Sequence, residues 1–83
     1  MKIQLRYFAS LREGLGAADS IEMPEGSTVA MLRDTLLARG GRHAELLARG
    51  RAVRSALNQA LCDESTPLSD GAEVAFFPPV TGG

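Results

Sequence analysis

The sequence predicts an α+β fold: a mixed sheet of about five strands with one main crossover helix and short extra helical turns. Three observations predict it. Apolar alternation of period two occurs at Ile3, Leu5 and Tyr7, and a strand-like apolar run, Val74 to Phe77, lies near the other end. A helical apolar stripe of Val29, Leu32 and Leu36 lies between them. Turn-forming residues cut the remainder into short pieces, without any internal repeat or dividing linker.

Each element has its own reason. From Lys2 to Phe8, Ile3, Leu5 and Tyr7 share one face, while Lys2, Gln4, Arg6 and Phe8 share the other, as in a half-buried strand. Ser10-Leu11-Arg12-Glu13 has the form of a capping box and predicts a short helix ended by Gly14 or Gly16. Ser20 to Met23 reads as a short strand with Ile21 and Met23 inward, and Pro24-Glu25-Gly26 as a turn. Thr28 is placed to cap the main helix, Leu37 widens its stripe, and Gly40-Gly41 is expected to stop it. A weaker helical turn is expected from His43 to Arg49, ending at Gly50. Val53 to Asn58 and Gln59 to Cys62 read as two strands meeting in a tight turn at Asn58-Gln59, because Asn tolerates left-handed φ. Asp63 to Ser69 is a loop, Asp70-Gly71 a turn, and Glu73 to Phe77 the last strand. One crossover helix with hairpins on both sides points to the β-grasp (ubiquitin-like) arrangement. Its first and last strands lie side by side and parallel at the sheet centre. Residues 1–77 form the single domain of this reading, and 78–83 an extended, flexible C-terminal arm.

Size and charge exclude several classes. A chain of 83 residues makes one small domain with a modest core. Its net charge of −1 suggests neither nucleic acid nor an anionic membrane as partner. Lys2 and Arg6 interrupt any leader-like apolar run, and no segment is long and apolar enough to span a bilayer. A single cysteine forms no internal disulfide. A soluble cytoplasmic protein is the expectation.

Chemistry is expected where functional side chains are absent. After Phe77 come Pro78, Pro79, Val80, Thr81, Gly82 and Gly83. Frayed ends and expression scars also carry glycines. The context favours a reactive end. A free α-carboxyl is ionised at neutral pH, with a pKa of roughly 3.5, and is a poor acyl donor until a partner activates it. Glycine has no Cβ, so Gly82 and Gly83 fit a narrow channel that a larger residue would block. Pro78 and Pro79 withhold two backbone donors, so the segment neither extends the sheet nor folds into helix. Six extended residues reach about 20 Å, at roughly 3.3 Å each. That is enough to enter a partner's active site. Beside the root of this arm, Phe8, Leu61 and Phe77 fall on outward strand parities. They are expected to form one exposed apolar docking patch unless a loop or the arm covers them.

Those residues carry a family resemblance. Asp70-Gly71-Ala72-Glu73-Val74-Ala75-Phe76-Phe77-Pro78-Pro79-Val80-Thr81-Gly82-Gly83 resembles the C-terminus of the molybdopterin synthase small subunits (sulfur-carrier subunits, or molybdopterin-converting factor subunit 1, ubiquitin-like). Tyr7-Phe8-Ala9-Ser10-Leu11-Arg12-Glu13 resembles that family's first strand and helix start, and Ala56-Leu57-Asn58-Gln59 its central hairpin. The segment from Arg39 to Arg54 carries little of it. The resemblance implies that the chain is no enzyme alone but the sulfur-donor subunit of a heteromeric sulfurtransferase. An adenylating, ubiquitin-activating-like partner uses ATP and magnesium to form the Gly83 acyl-adenylate, and a sulfur donor protein converts it to a thiocarboxylate (1-thioglycine). The arm then enters the large synthase subunit and gives sulfur to cyclic pyranopterin monophosphate. A 2:2 heterotetramer is implied. Gly83 carries the sulfur and Gly82 gives passage. Phe8, Leu61 and Phe77 match apolar interface positions, Arg12 a basic one, and Pro78, Pro79, Val80 and Thr81 the inserted arm. No cofactor is bound by the chain itself, and no metal.

Other residues are read blandly. Cys62 has no second thiol or nearby His to activate it and is taken as a buried strand cysteine. His43 is alone and is taken as a surface residue. Arg39, Arg42, Arg49, Arg51 and Arg54 are taken as a solvated face, and Asp63 and Glu64 as loop acids. Two alternatives stay open. One is a β-grasp carrier or protein modifier for another pathway (thiamine, cysteine, tRNA thiolation or lysine conjugation). The other is a non-reactive β-grasp interaction module.

Overall fold

The first strand, β1 (Lys2–Tyr7), buries every second residue, and this alternation sets the register of the sheet. Ile3, Leu5 and Tyr7 lie in the core. A slip by one residue would drive Lys2, Gln4 and Arg6 inward instead. The chain continues through α1 (Ala9–Leu15), β2 (Ala18–Glu22), α2 (Val29–Leu37), α3 (Gly41–Leu46), β3 (Arg54–Leu57), β4 (Ala60–Cys62) and β5 (Glu73–Phe77). The computed structural model describes residues 1–79. The arm expected over 78–83 is therefore described only at Pro78 and Pro79, which are half-buried and outside any strand. Val80, Thr81, Gly82 and Gly83 lie outside the described residues.

The five strands form one sheet in the order β2-β1-β5-β3-β4. Only β1 and β5 pair in parallel, with Leu5 beside Val74 and Tyr7 beside Phe76. The other neighbours are antiparallel. This is the expected β-grasp arrangement, with the first and last strands at the centre. Val29, Leu32 and Leu36 of α2 pack with Val74 and Phe76 of β5 and the inward residues of β1. Leu11, Met23, Leu46, Leu47 and Leu68 close the same cluster. Each fully buried aliphatic or aromatic side chain contributes about 1.5–3 kcal/mol.

Two helix boundaries differ from expectation. No capping box forms at Ser10 and Glu13; α1 begins after Phe8, which makes no side-chain cap. The Phe8 N–H still donates to the Phe76 carbonyl of β5 at 3.2 Å, so the sheet holds the chain up to that residue. Ala9 then turns at φ +54°, and the Leu11 and Arg12 amides close on the Phe8 carbonyl. The helix has started before Ser10 reaches a capping position. Its far end is as expected, with Gly16 at φ +91° donating to the Arg12 carbonyl. Gly40-Gly41 does more than stop α2. Both have positive φ, and Gly40 becomes the N-cap of α3, which runs Gly41–Leu46 rather than His43 to Arg49. It ends early because Leu46 and Leu47 turn into the core.

Two other expectations hold at atomic detail. Thr28 caps α2, its hydroxyl accepting from the Met31 N–H at 3.3 Å. Asn58 and Gln59 both have positive φ, 49° and 71°, as a two-residue hairpin of the primed kind requires. That turn is tied to the start of β5. Asn58 donates its N–H to the Glu73 carbonyl at 2.8 Å, and its side-chain oxygen accepts from the Glu73 N–H at 2.9 Å.

Candidate functional site

The face of the sheet turned away from α2 carries the site. Across four strands one lateral row runs Arg6, Ala75, Ala56, Leu61, each beside the next in register. Two residues further along β5, on the same face, Phe77 lies beside Arg54. Ala56 and Ala75 are small, so the middle of the row is sunken. Phe8, Phe77, Leu61, Gln59, Arg6 and Glu73 stand around it and complete a concavity of about 420 Å³. Leu61 is 67% exposed and Phe8 42%, values far from those of core side chains. An apolar hollow with large apolar walls is costly to leave in water and is what a partner's side chains fill.

Charge sits at its edge. Arg6 and Glu73 approach to 3.8 Å, and the Arg6 guanidinium lies over the Phe8 ring at 5.9 Å from its centroid. Such an exposed cation–π contact is worth about 0.5–1 kcal/mol.

Phe8, Leu61 and Phe77 are thus brought together as expected, by a different route. β3 lies between β5 and β4, so Leu61 joins the patch across Ala56 and not as an immediate neighbour of Phe77. Arg12 is exposed on α1 and does not line the hollow. Pro78 and Pro79 continue directly from Phe77, so the chain leaves β5 at the wall of the hollow. Sequence reasoning missed Arg6, Ala56, Gln59, Glu73 and Ala75 as lining residues. The signal was present: all lie on the outward parity of their strands or in the connecting turn, but small and charged residues there look like ordinary surface.

The remaining titratable groups are occupied elsewhere. Cys62 is half-buried on β4, its Sγ 3.7 Å from the Ser55 hydroxyl. His43 is half-buried on α3. Burial, and then the neighbouring Arg39 charge, hold its pKa below the ordinary value. Arg39 pairs with Asp19 at 2.9 Å, and Arg49 with Asp34 at 2.6 Å and with Glu64. The arginine-rich segment is therefore partly consumed by ion pairs. Burial pushes Glu64 up, but hydrogen bonds from Arg49 and Arg33 outweigh it and hold the carboxyl below its usual range. Asp63 is held low by the Ser65 hydroxyl and amide. Among the described residues no group of three or more His, Cys, Asp or Glu is arranged to hold a metal ion. No helix there is long and apolar enough to cross a membrane. Among the described residues lining the hollow, none is a nucleophile with an adjacent base.

Comparison with known proteins bears on what the site does. The model of the ThiS family matches residues 5–83. The molybdopterin synthase sulfur carrier subunit of Escherichia coli K12 is 42% identical over 81 residues, covering 98% of this chain and 99% of the relative. The protein of the same name from Haemophilus influenzae is 35% identical over 82 residues, with 98% and 99% covered. Among solved structures, a complex of subunits 1 and 2 of molybdopterin-converting factor from Helicobacter pylori contains a chain similar over the full length of both. It has 30% identity and a TM-score of 0.70.

Proposed function

The chain belongs to the ThiS family, and from that premise we propose that it is the sulfur-carrier subunit of a molybdopterin synthase, with the Gly83 carboxyl as the carrier group. The observation that carries the proposal is the apolar hollow at the point where the chain leaves the central strand β5. A partner seated on Phe8, Leu61 and Phe77 meets the segment from Pro78 to Gly83 at once. Because β5 is hydrogen-bonded on both sides, that segment departs from a rigid base. The large subunit of the synthase is the partner that receives it, in keeping with the subunit 1 and 2 complex of the Helicobacter pylori relative. A 2:2 assembly is part of the proposal, as are Arg12 as a basic contact and Pro78, Pro79, Val80 and Thr81 as the inserted stretch.

The chemistry follows from the carboxylate. An adenylating enzyme joins the Gly83 carboxylate to AMP from ATP, with magnesium, and pyrophosphate leaves. The terminal sulfur of a donor persulfide attacks the acyl carbon and the C–O bond to AMP breaks. A thiol reductant then cleaves the S–S bond of the resulting acyl disulfide, itself ending in a disulfide, and a thiocarboxylate remains. This terminal sulfur is the nucleophile delivered to cyclic pyranopterin monophosphate in the large subunit, and two such transfers make a dithiolene. Gly82 keeps the approach narrow. ATP and magnesium belong to the activating partner, and the catalytic side chains to the two enzymes visited. Carriers serving other pathways share the fold and the terminal chemistry; identity of 42% and 35%, over 98% of this chain, to sulfur carrier subunits of molybdopterin synthases favours this one.

The test is intact mass spectrometry after incubation with ATP, magnesium, an adenylating partner and a sulfur donor. The expected result is a mass gain equal to the exchange of one oxygen for sulfur, mapped to Gly83. An unchanged mass with a competent partner defeats the proposal.

A further inference from the structure

Of the nine basic side chains only Lys2 is a lysine; the other eight are arginines. For a protein whose carboxyl group is activated the difference is chemical. A lysine ammonium exchanges with a free amine that attacks acyl-adenylates and thioesters. A guanidinium stays protonated and delocalised and does not. The cations nearest the point where the chain leaves the sheet are all arginines. Arg54 is the register partner of Phe77, Arg6 that of Ala75, and Arg12 stands on α1. The parallel pairing of β1 with β5 puts Lys2 at the opposite pole. Six strand residues, about 20 Å at roughly 3.3 Å each, separate its level from that of Phe77. The segment 78–83 would have to run back along the sheet fully stretched to meet it. The Met1 amino group is engaged, donating to the Met23 carbonyl at 2.7 Å and lying 3.8 Å from Glu22.

Resting on the reading of Gly83 as an activated carboxyl, we propose that this arginine-for-lysine surface keeps the activated end from acylating its own domain. Lys2 is then the one side-chain amine at which a second copy can be joined, through a Gly83–Lys2 isopeptide bond. In the reaction so avoided, a neutral lysine Nζ attacks the Gly83 carbonyl carbon. A C–N bond forms, the C–O bond to AMP breaks with its electron pair leaving on the phosphate, and the amine proton passes to water. The net change is loss of one water from the protein. Sulfur transfer needs that end intact, and arginine keeps the surface charge without offering the competing nucleophile.

The test uses the full chain with ATP, magnesium and the adenylating partner, without a sulfur donor, reading pyrophosphate release and intact mass together. The native chain is expected to release pyrophosphate and keep its monomer mass. Arg54→Lys is expected to lose one water, with peptide mapping joining the introduced lysine to Gly83. Arg6→Lys serves if the first variant fails to fold. Dimers formed at high protein concentration are expected to carry the Gly83–Lys2 link and to vanish in Lys2→Arg. The same comparison on chains bearing a Gly83 α-thioester needs no partner and is expected to give the same ranking. Loss of water from the native chain as fast as from Arg54→Lys overturns the proposal, as does an α-thioester of Arg54→Lys that keeps its mass while it hydrolyses. Absence of pyrophosphate release with a competent partner overturns the Gly83 reading itself, and this proposal with it.

Discussion

Phe77 and Tyr7 show how one sheet serves two purposes at the level of single residues. Phe77 faces outward at the wall of the hollow, where its ring adds little to the core. Phe77→Ala is therefore expected to leave the circular dichroism spectrum unchanged. It should weaken binding of the proposed partner, a synthase large subunit, by about 1–2 kcal/mol, roughly tenfold, as for an aromatic anchor at an interface. Calorimetry decides, and an unaltered affinity with an intact fold removes the docking role. Tyr7 faces inward, stacked near Phe76 at 6.4 Å between ring centroids. Burial pushes its hydroxyl up to about 12, with Asp19 adding to the shift and Arg39 opposing it. An unfolded tyrosine ionises at about 10. Between these values the unfolded chain has released the proton and the folded chain has kept it. Stability is fully present below the lower value and falls as pH rises toward the upper one. Urea unfolding at about pH 9 and about pH 11 should show a loss on the order of 1 kcal/mol that Tyr7→Phe lacks. Equal losses in both proteins would mean that the phenol is not the titrating group.

Arg33 is where an element depended on a residue that the apolar pattern hid. It follows Val29 by four positions, so it shares the buried stripe of α2, and it is only 4% exposed. Its Nε donates to the Leu47 carbonyl at 2.8 Å, and its Nη2 to the Ala48 and Arg51 carbonyls at 2.7 and 3.3 Å. Its Nη1 meets Glu64 at 2.7 Å. Three carbonyls of the strandless stretch after α3 are thus gathered by one side chain from α2. Arg33→Ala takes the donor away from the Leu47 and Arg51 carbonyls, while the Ala48 carbonyl keeps the Arg51 N–H and Glu64 keeps Arg49. An expected loss of about 2–4 kcal/mol should appear in denaturant midpoints. A loss within a few tenths of a kcal/mol would show that water replaces the guanidinium. What was legible in the sequence divides along the same line. Strand parity, the Thr28 cap and the Asn58-Gln59 turn are local, so the residues themselves announce them. The start of α1 was decided by the hold of β5 on Phe8, and the end of α3 by the burial of Leu46 and Leu47. Both are contacts between residues distant in sequence, which no local pattern contains. The docking patch was half legible for the same reason: its aromatics stand out on outward parities, whereas its alanine floor exists only once β3 lies beside β5.

At the scale of the whole molecule, stability and chemistry are separable along the chain. The core cluster draws its residues from Ile3 to Phe76, and β5 is held on one side by β1 and on the other by β3. Among the described residues no core side chain comes from beyond Phe76. If the carrier group is the Gly83 carboxyl, removing that residue shortens the reach by about 3.3 Å and moves the carboxylate out of register with both partners' active sites, while every core contact stays in place. Deletion of Gly83 is therefore expected to keep the urea midpoint and the large-subunit affinity conferred by the sheet face, and to abolish both the oxygen-to-sulfur mass gain and sulfur delivery. Measured together, these quantities discriminate. A lowered midpoint would mean that the terminal residues contribute to the fold, contrary to the division argued here. A mass gain that survives the deletion would place the sulfur on another group, with Cys62 the first to examine.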